Sequence, residues 1–213
     1  QYRIISEEEM VAELKNLAAA PLALGEDEDF RISIAGAQEK TALLRIDGKW
    51  HRPAGVTPTT HILKPQLGQI PIADGMIDMS NSVDNEHYCM TLMKAFGLSV
   101  AATEIATVGQ RRVLVVERFD RHWRNAKQIL RLPQEDCCQA LGYPPTHKYQ
   151  SDGGPNMKDI FGLLRGADDP QADAAAFFKS QILFWLIGAT DGHAKNFSIF
   201  LKPGGRYSLT PFY

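Results

Sequence analysis

Residues 182–200 read Ile182-Leu183-Phe184-Trp185-Leu186-Ile187-Gly188-Ala189-Thr190-Asp191-Gly192-His193-Ala194-Lys195-Asn196-Phe197-Ser198-Ile199-Phe200. The stretch begins with the apolar end of a helix and finishes with the apolar pattern of a strand. Between these two elements lies a short segment that is rich in Asp, Gly, His, Lys and Asn. Because buried elements flank it on both sides, we expect a fixed scaffold to hold this polar segment, and chemistry is usually placed on such scaffolds.

The spacing of Asp191 and Asn196 within this segment is Asp-x-x-x-x-Asn. Kinase catalytic loops use the same spacing, in which the Asp accepts or orients the proton of the substrate hydroxyl and the Asn holds Mg²⁺. Lys195 would neutralise charge that develops on a transferred phosphate. The spacing alone leaves open a second interpretation, a polar helix-to-strand turn in which Asp191 and Asn196 act only as caps.

A lysine on a predicted strand supplies a second element of a phosphate site. Lys64 stands on a short strand directly before Pro65, and kinases bind the α- and β-phosphates with a strand lysine that is paired with a helix glutamate. Glu86 lies in the apolar stripe of a predicted helix, where an unpaired carboxylate would be costly to bury. We therefore predict a Lys64–Glu86 ion pair. Two alternatives stay open: Glu86 borders the stripe and faces solvent, or Asp84 or Asn85 pairs instead.

Two further segments are weak signals when each is judged singly. Residues 33–40 read Ser-Ile-Ala-Gly-Ala-Gln-Glu-Lys, and small side chains let backbone N–H groups approach phosphate oxygens. With one glycine, this segment alone is more typical of an ordinary hairpin turn. Residues 115–120 are an apolar strand that ends in charged residues, which is also a common surface feature. They stand where a β-rich half gives way to a helical half.

Periodicity predicts an α+β fold with two lobes. Ser6 and Glu9 form a capping-box pattern for a first helix, and strands then follow over 30–35, 41–46 and 60–64, with Asp47-Gly48 as a hairpin turn. A helix over 82–96 and a hairpin over 104–117 complete a β-rich lobe, assigned to residues 1–120. Strand signals fade after Phe119, so residues 121–213 are assigned to a helical lobe. Residues 66–80 and 142–157 are predicted to be loops.

Composition excludes several classes of protein. The 213 residues carry 23 Lys and Arg against 25 Asp and Glu, a net charge of −2. This balance argues against a broad basic surface for nucleic acid or anionic membrane. No apolar run is long enough to span a bilayer, and no signal-peptide pattern is present. The three cysteines, Cys89, Cys137 and Cys138, fit neither a disulfide framework nor a zinc site, which indicates a cytoplasmic protein with reduced thiols.

Taken in order, six segments resemble the HipA family of bacterial toxin kinases. They are Phe30–Lys40, Thr59–Lys64, Ser82–Glu86, Val116–Asp120, Arg131–Asp136 and Gly188–Asn196. The resemblance implies a protein-kinase-like, HipA-like fold, truncated at both ends, that uses ATP and Mg²⁺. It also implies site residues: Asp191 as the catalytic aspartate, Asn196 as a Mg²⁺ ligand, Ser33 as an autophosphorylation site that inactivates the kinase, and as ATP-binding residues Lys64, Ala35, Gly36, Ala37, Gln38, Glu117, Phe119, His193, Lys195 and Asn196.

The same resemblance implies a biological role. It predicts a serine/threonine-protein kinase toxin of a toxin–antitoxin module that phosphorylates a translation-related protein, such as an aminoacyl-tRNA synthetase. The implied partner is a HipB-like helix-turn-helix antitoxin, through which the protein would reach DNA. In the family an aspartate that coordinates Mg²⁺ follows the residues matching Pro211–Tyr213, so we expect the chain as given to be inactive. The alternative is a module that docks the antitoxin and represses an operon, with vestigial nucleotide binding.

Overall fold

The computed structural model describes residues 1–19, 38–72, 75–125 and 128–213. The strand predicted over 30–35 and the loop residues Ser33, Ala35, Gly36 and Ala37 lie outside the described residues. The chain divides into two compact units, one of residues 1–91 and 101–130 and the other of residues 92–100 and 131–213. The assignment of lobes to residues 1–120 and 121–213 stays a prediction.

The first unit is built around a six-stranded antiparallel sheet. Its elements in chain order are β1 (Tyr2–Ile4), α1 (Glu7–Ala19), β2 (Thr41–Ile46), β3 (Lys49–Pro53), β4 (His61–Pro65), β5 (Gln69–Ile72), β6 (Gly75–Asp78), α2 (Ser82–Ala95), β7 (Thr103–Val108), β8 (Arg111–Glu117), β9 (Arg121–Asn125) and β10 (Gln128–Arg131). The division between the units falls within α2. The large sheet has the order β1-β3-β2-β4-β8-β7, while β5–β6 and β9–β10 form two separate two-stranded sheets.

Local sequence explains the elements that frame this sheet. The hydroxyl of Ser6 accepts a hydrogen bond from the Glu9 N–H at 3.2 Å, and the Glu9 carboxylate accepts one from the Ser6 N–H at 2.9 Å, which closes the predicted capping box. Asp47 and Gly48, at φ 49° and 75°, form the predicted turn between β2 and β3. The apolar face of the sheet and α1 share one core, made by Ile5, Met10, Leu14, Leu43, Leu63, Val108, Val113 and Val115.

Sequence analysis did not predict five strands of the first unit, namely β1, β5, β6, β9 and β10. The loop prediction for residues 66–80 was wrong, because β5 and β6 form a hairpin there. The fading of strand signals after Phe119 was also misleading, since β9 and β10 follow. All four residues of β6 and four of the five in β9 are exposed, so neither strand has a buried face to impose alternating hydrophobicity.

The second unit combines helices with a three-stranded antiparallel sheet. Its elements are β11 (Gln134–Asp136), α3 (Cys137–Ala140), α4 (Met157–Leu164), α5 (Pro170–Leu186), β12 (Ser198–Lys202) and β13 (Arg206–Leu209), with the sheet order β11-β12-β13. Asp136, Asn156 and Asp169 cap the three helices through their side chains. An aromatic and aliphatic core centred on Phe177, Leu164 and Phe197 holds the sheet to the helices.

The cysteines are free, as expected, and two of them are packing residues. Cys137 and Cys138 are buried in the core of the second unit. Burial raises the pKa of the Cys137 thiol to about 12, with smaller contributions from Asp136 and Cys138, so this thiol stays protonated at neutral pH. Among the described residues, no helix has both the length and the apolar character needed to cross a lipid bilayer.

A buried ion cluster follows β8. The carboxylate of Asp120 accepts hydrogen bonds from Arg118 at 3.0 and 2.8 Å and from Arg121 at 2.7 Å. Arg121 also donates to the backbone carbonyl of Thr59 at 2.9 Å, which ties the end of β8 to the loop before β4. Burial alone would raise the pKa of Asp120, but the hydrogen bond and charge of Arg118, together with the charge of Arg121, lower that pKa below its usual range.

We predict that Asp120→Asn lowers the free energy of unfolding at pH 7 by about 3 kcal/mol, because two arginines lose their buried counter-charge. Urea denaturation measures this loss. The native carboxylate has a lowered pKa, so its stabilisation is fully present above about pH 4 and is lost as the pH falls through the lower folded value. The difference between wild type and variant should therefore shrink in acid.

The matched control is Glu104→Gln, which breaks an ion pair with Arg45 whose glutamate side chain is 54% exposed. Exposed pairs contribute less than about 1 kcal/mol, so this variant should stay close to wild type. Equal losses for the two variants would show that the Asp120 cluster is no more than another surface pair.

Candidate active site

The ion pair between Lys64 and Glu86 is present. The Lys64 Nζ atom lies 2.5 Å from Oε1 of Glu86, with the two side chains 21% and 30% exposed. On β4, Leu63 is buried in the core of the sheet, so the adjacent Lys64 points to the opposite face, where Glu86 of α2 meets it. The neighbouring Asp84 pairs with Arg112 instead, at 2.5 Å. The structure therefore selects Glu86 from the alternatives that the sequence left open.

Lys40 is a second cation near this pair that sequence reasoning missed. Burial lowers the pKa of its ammonium group, the charge of Lys64 lowers it further, and Glu86 opposes both effects. Gln38, the described member of the predicted phosphate loop, is half-buried two residues before Lys40. The charges of Lys64 and Glu86 both act on Lys40, so two lysines and one glutamate lie near one another, an arrangement suited to an anionic ligand.

At the end of β8, the backbone N–H of Glu117 already has a hydrogen-bond partner within the fold. Its N–H donates to the carbonyl of Ala102 at 2.8 Å, and the next N–H, of Arg118, donates to Thr60 at 2.9 Å. The predicted adenine contact at Glu117 must therefore use its carbonyl, which accepts a hydrogen bond from an amino group. Phe119 is half-buried beyond this point.

In the second unit, Asp191 and Asn196 lie on one closed turn. The carbonyl of Asp191 accepts a hydrogen bond from Nδ2 of Asn196 at 2.5 Å and another from the N–H of His193 at 3.0 Å. A single turn of 3₁₀ helix, Ala194–Asn196, then leads into β12. The Asp191 side chain itself is 74% exposed, so its carboxylate is open to a ligand. The turn therefore presents the carboxylate from a fixed backbone.

His193 is buried directly beside this carboxylate. Its Nε2 atom lies 3.8 Å from Oδ1 of Asp191, and its side chain is 7% exposed. Burial lowers the pKa of the imidazole more than the charge of Asp191 raises it, so the ring is neutral at pH 7. Its Nδ1 atom is buried with no hydrogen-bond partner among the described residues. A neutral ring adds no positive charge toward a phosphate.

Lys195 is held by a carboxylate of its own unit. Its ammonium group lies 3.0 Å from Asp136, which also caps α3. Asp136 belongs to one of the segments that carry the family resemblance, but its partner could not be identified from the sequence because 59 positions separate the two residues. The ion pair offsets part of the charge that Lys195 would offer to a phosphate.

Tyr149 is the residue in this site that sequence reasoning missed most clearly. Its hydroxyl donates to Oδ1 of Asp191 at 2.5 Å, and its ring forms a T-shaped pair with the His193 ring at a centroid distance of 5.0 Å. The hydrogen bond to Asp191 raises the pKa of the Tyr149 phenol. Tyr149 belongs to the segment 142–157, which composition predicted only as a loop, and no local pattern links it to a residue 42 positions away.

The donor set of the second unit fits a magnesium ion that is shared with a nucleotide. Nδ2 of Asn196 is used by the backbone of Asp191, which leaves Oδ1, the atom that can ligate a cation. Mg²⁺ in kinases is held by one or two protein oxygens together with substrate phosphates. In the described part of the chain, no group of three or more His, Cys, Asp or Glu residues forms a cluster suited to a metal.

The last residues of the chain lie against the same turn. The hydroxyl of Tyr213 is 2.7 Å from that of Ser198 and 3.4 Å from the carbonyl of Lys195. The N–H of Phe212 donates to Ser99 at 2.9 Å, and its ring is buried in the core. Position 213 is therefore fixed close to the segment that carries Asp191 and Asn196.

Comparison with known proteins identifies the class of fold. The chain superposes on HipA in a complex of HipA, HipB and operator DNA from Shewanella oneidensis with a TM-score of 0.79 and 28% identity, covering 100% of this chain and 50% of that one. It shares the fold of the Helicobacter pylori proinflammatory kinase CtkA at a TM-score of 0.52 and 14% identity, covering 80% of this chain and 52% of that one. The predicted α+β, HipA-like kinase fold is confirmed.

Sequence comparison defines the family. The model of the HipA-like C-terminal domain matches residues 32–213, and the chain belongs to this family. It is 40% identical to the protein Y4mE of Sinorhizobium fredii, with 98% of this chain and 47% of the relative covered. It is 30% identical to the serine/threonine-protein kinase toxin HipA of Shewanella oneidensis, with 100% of this chain and 49% of the relative covered. The chain thus spans about half the length of these relatives.

Proposed function

We propose that the protein containing this chain is an ATP- and Mg²⁺-dependent serine/threonine-protein kinase toxin. The observation that carries the proposal is the Lys64–Glu86 ion pair at 2.5 Å, because a strand lysine held by a helix glutamate is the device with which kinases bind nucleotide phosphates. The turn of Asp191 and Asn196 adds the carboxylate base and the amide that the proposed reaction requires. The similarity to a HipA toxin kinase supports the same activity.

The proposed roles follow from the chemistry of each side chain. Asp191 accepts the proton of a serine or threonine hydroxyl, and that oxygen forms a bond to the γ-phosphorus of ATP. The bond from the γ-phosphorus to its bridging oxygen breaks, and ADP leaves. Lys64 binds the α- and β-phosphates, and Oδ1 of Asn196 is the proposed Mg²⁺ ligand. When bound, Mg²⁺ supplies positive charge that stabilises the phosphate oxygens.

The remaining contacts to ATP are proposed from the family resemblance and from chemistry. The Glu117 carbonyl and the backbone of Phe119 would meet adenine. Backbone groups of Ala35, Gly36, Ala37 and Gln38 would meet the phosphates, and His193 and Lys195 would line the site. Phosphorylation of Ser33 would inactivate the enzyme, because a phosphate adds nearly two negative charges where those of ATP must bind.

We propose a HipB-like antitoxin as the partner, and contact with DNA through that partner. A solved structure to which this chain is similar is a complex of HipA with HipB and operator DNA, which supports this choice. The net charge of −2 favours an indirect route to DNA. The proposed substrate is a translation-related protein, such as an aminoacyl-tRNA synthetase.

The experiment is transfer of labelled phosphate from ATP to protein by the complete gene product, measured beside a thermal shift with ATP and Mg²⁺. A kinase gives both signals, since a ligand that binds the native state raises the melting temperature. A thermal shift without transfer would favour the antitoxin-docking module. If neither phosphate transfer nor a thermal shift is observed, the proposal that the protein binds ATP is refuted.

A further inference from the structure

The contact between Tyr149 and Asp191 occupies one of the two oxygens of the proposed catalytic carboxylate. The phenol donates to Oδ1 at 2.5 Å, while the carbonyl of Asp191 is fixed separately by Asn196 and His193. A carboxylate with a free side-chain torsion presents its oxygens in many directions, and catalysis needs one direction. With Oδ1 engaged, Oδ2 is the oxygen left for a substrate hydroxyl.

The backbone around Tyr149 holds it in place. The carbonyl of Lys148 accepts a hydrogen bond from the N–H of Ala194 at 3.2 Å. This bond joins the segment 142–157 directly to the turn that carries Asp191 and Asn196. The carbonyl of Tyr149 accepts hydrogen bonds from Asp152 at 3.1 Å and from Gly154 at 2.9 Å. A Cβ atom on Gly154 would lie 2.1 Å from the carbonyl oxygen of His147, so this close turn requires glycine.

The ring of Tyr149 also makes two contacts. One contact is a T-shaped arrangement with the buried His193 ring, at a centroid distance of 5.0 Å and an interplanar angle of 82°. The ammonium group of Lys148 lies 5.0 Å from the ring centroid, within the range of a cation–π interaction. A side chain held by its backbone, its ring and its hydroxyl is suited to a fixed role rather than to one that swings away in each cycle.

We propose that Tyr149 is a positioning residue that orients the carboxylate of Asp191, so that Oδ2 accepts the proton of the substrate hydroxyl. This inference rests on the proposed kinase function. It gives the segment 142–157, whose composition predicts a loop, a part in the reaction. The phenol keeps its own proton throughout, and the transferred proton goes to Oδ2.

The kinetic test is Tyr149→Phe in the complete gene product. This change removes the hydroxyl and keeps the ring, so we expect kcat to fall about tenfold with an unchanged KM for ATP. Tyr143→Phe is the matched control, because Tyr143 lies in the same segment and its hydroxyl makes no hydrogen bond among the described residues; it should keep the wild-type kcat. An unchanged or increased kcat for Tyr149→Phe would overturn the proposal, and so would phosphate found on Tyr149 itself.

A titration separates this inference from the proposed function. Carbon-13 labelling of the tyrosines lets NMR follow each phenol with pH. The hydrogen bond to the Asp191 carboxylate raises the pKa of Tyr149, so that pKa should fall in Asp191→Asn, which lacks the negative charge. If no phosphate is transferred by wild type, the kinase proposal fails while the titration still reports on the contact. If wild type is active and Tyr149→Phe equals it, only the positioning role fails.

Discussion

Lys64→Ala lowers the affinity for ATP roughly a hundredfold, and calorimetric titration of the complete gene product measures that loss. The variant removes the cation proposed to bind the α- and β-phosphates. It also releases the charge of Glu86, whose carboxylate lies 2.5 Å from Lys64 in wild type, so an anion would repel the phosphates. Ser33→Ala removes no charge and should weaken binding less.

The control for Lys64 comes from the same helix. Arg112→Ala breaks an ion pair between β8 and Asp84 of α2 at the same distance of 2.5 Å, but those two side chains are 46% and 51% exposed. This variant should bind ATP as wild type does. If Lys64→Ala and wild type had equal affinities, the phosphate-binding role of Lys64 would be wrong.

Asp191→Asn is expected to lower kcat about a thousandfold, because the amide cannot accept the proton of the attacking hydroxyl. Binding of ATP should persist, since Asp191 acts on the substrate hydroxyl in this mechanism. Single-turnover transfer of labelled phosphate and calorimetry measure the two quantities separately.

Asp152→Asn is the comparison for this variant. Asp152 lies in the loop that carries Tyr149 and is exposed, so the change removes a nearby charge without touching the proposed reaction. It should transfer phosphate at the wild-type rate. Comparable transfer by wild type and Asp191→Asn would show that Asp191 is not the catalytic aspartate.

Sequence predicted the parts of this molecule in which local pattern and burial agree. The first helix, the Asp47-Gly48 hairpin and β8 follow from a capping box, a turn dipeptide and an apolar run. Strands β6 and β9 were not predicted because nearly all of their residues are exposed. An exposed strand has no buried face that would require apolar and polar residues to alternate.

The residues of the candidate site also divide into those that a local sequence pattern predicts and those that it does not. Glu86 was found because a carboxylate in an apolar stripe needs a cation, and Lys64 supplies it. The partners of Asp191 and Lys195 were not found, because Tyr149 and Asp136 reach them across 42 and 59 positions of chain. Such contacts depend on how the helices and strands pack, which a single sequence does not encode in any local spacing.

The central claim is that this protein moves the γ-phosphate of ATP to a hydroxyl of a protein. Mass spectrometry of the complete gene product after incubation with ATP and Mg²⁺, with wild type and Asp191→Asn side by side, measures that event without any assumed substrate. The predicted result is a phosphorylated serine in wild type, with Ser33 as the expected position, and an unmodified Asp191→Asn protein. Wild type that binds ATP and Mg²⁺ yet stays unmodified would contradict the account.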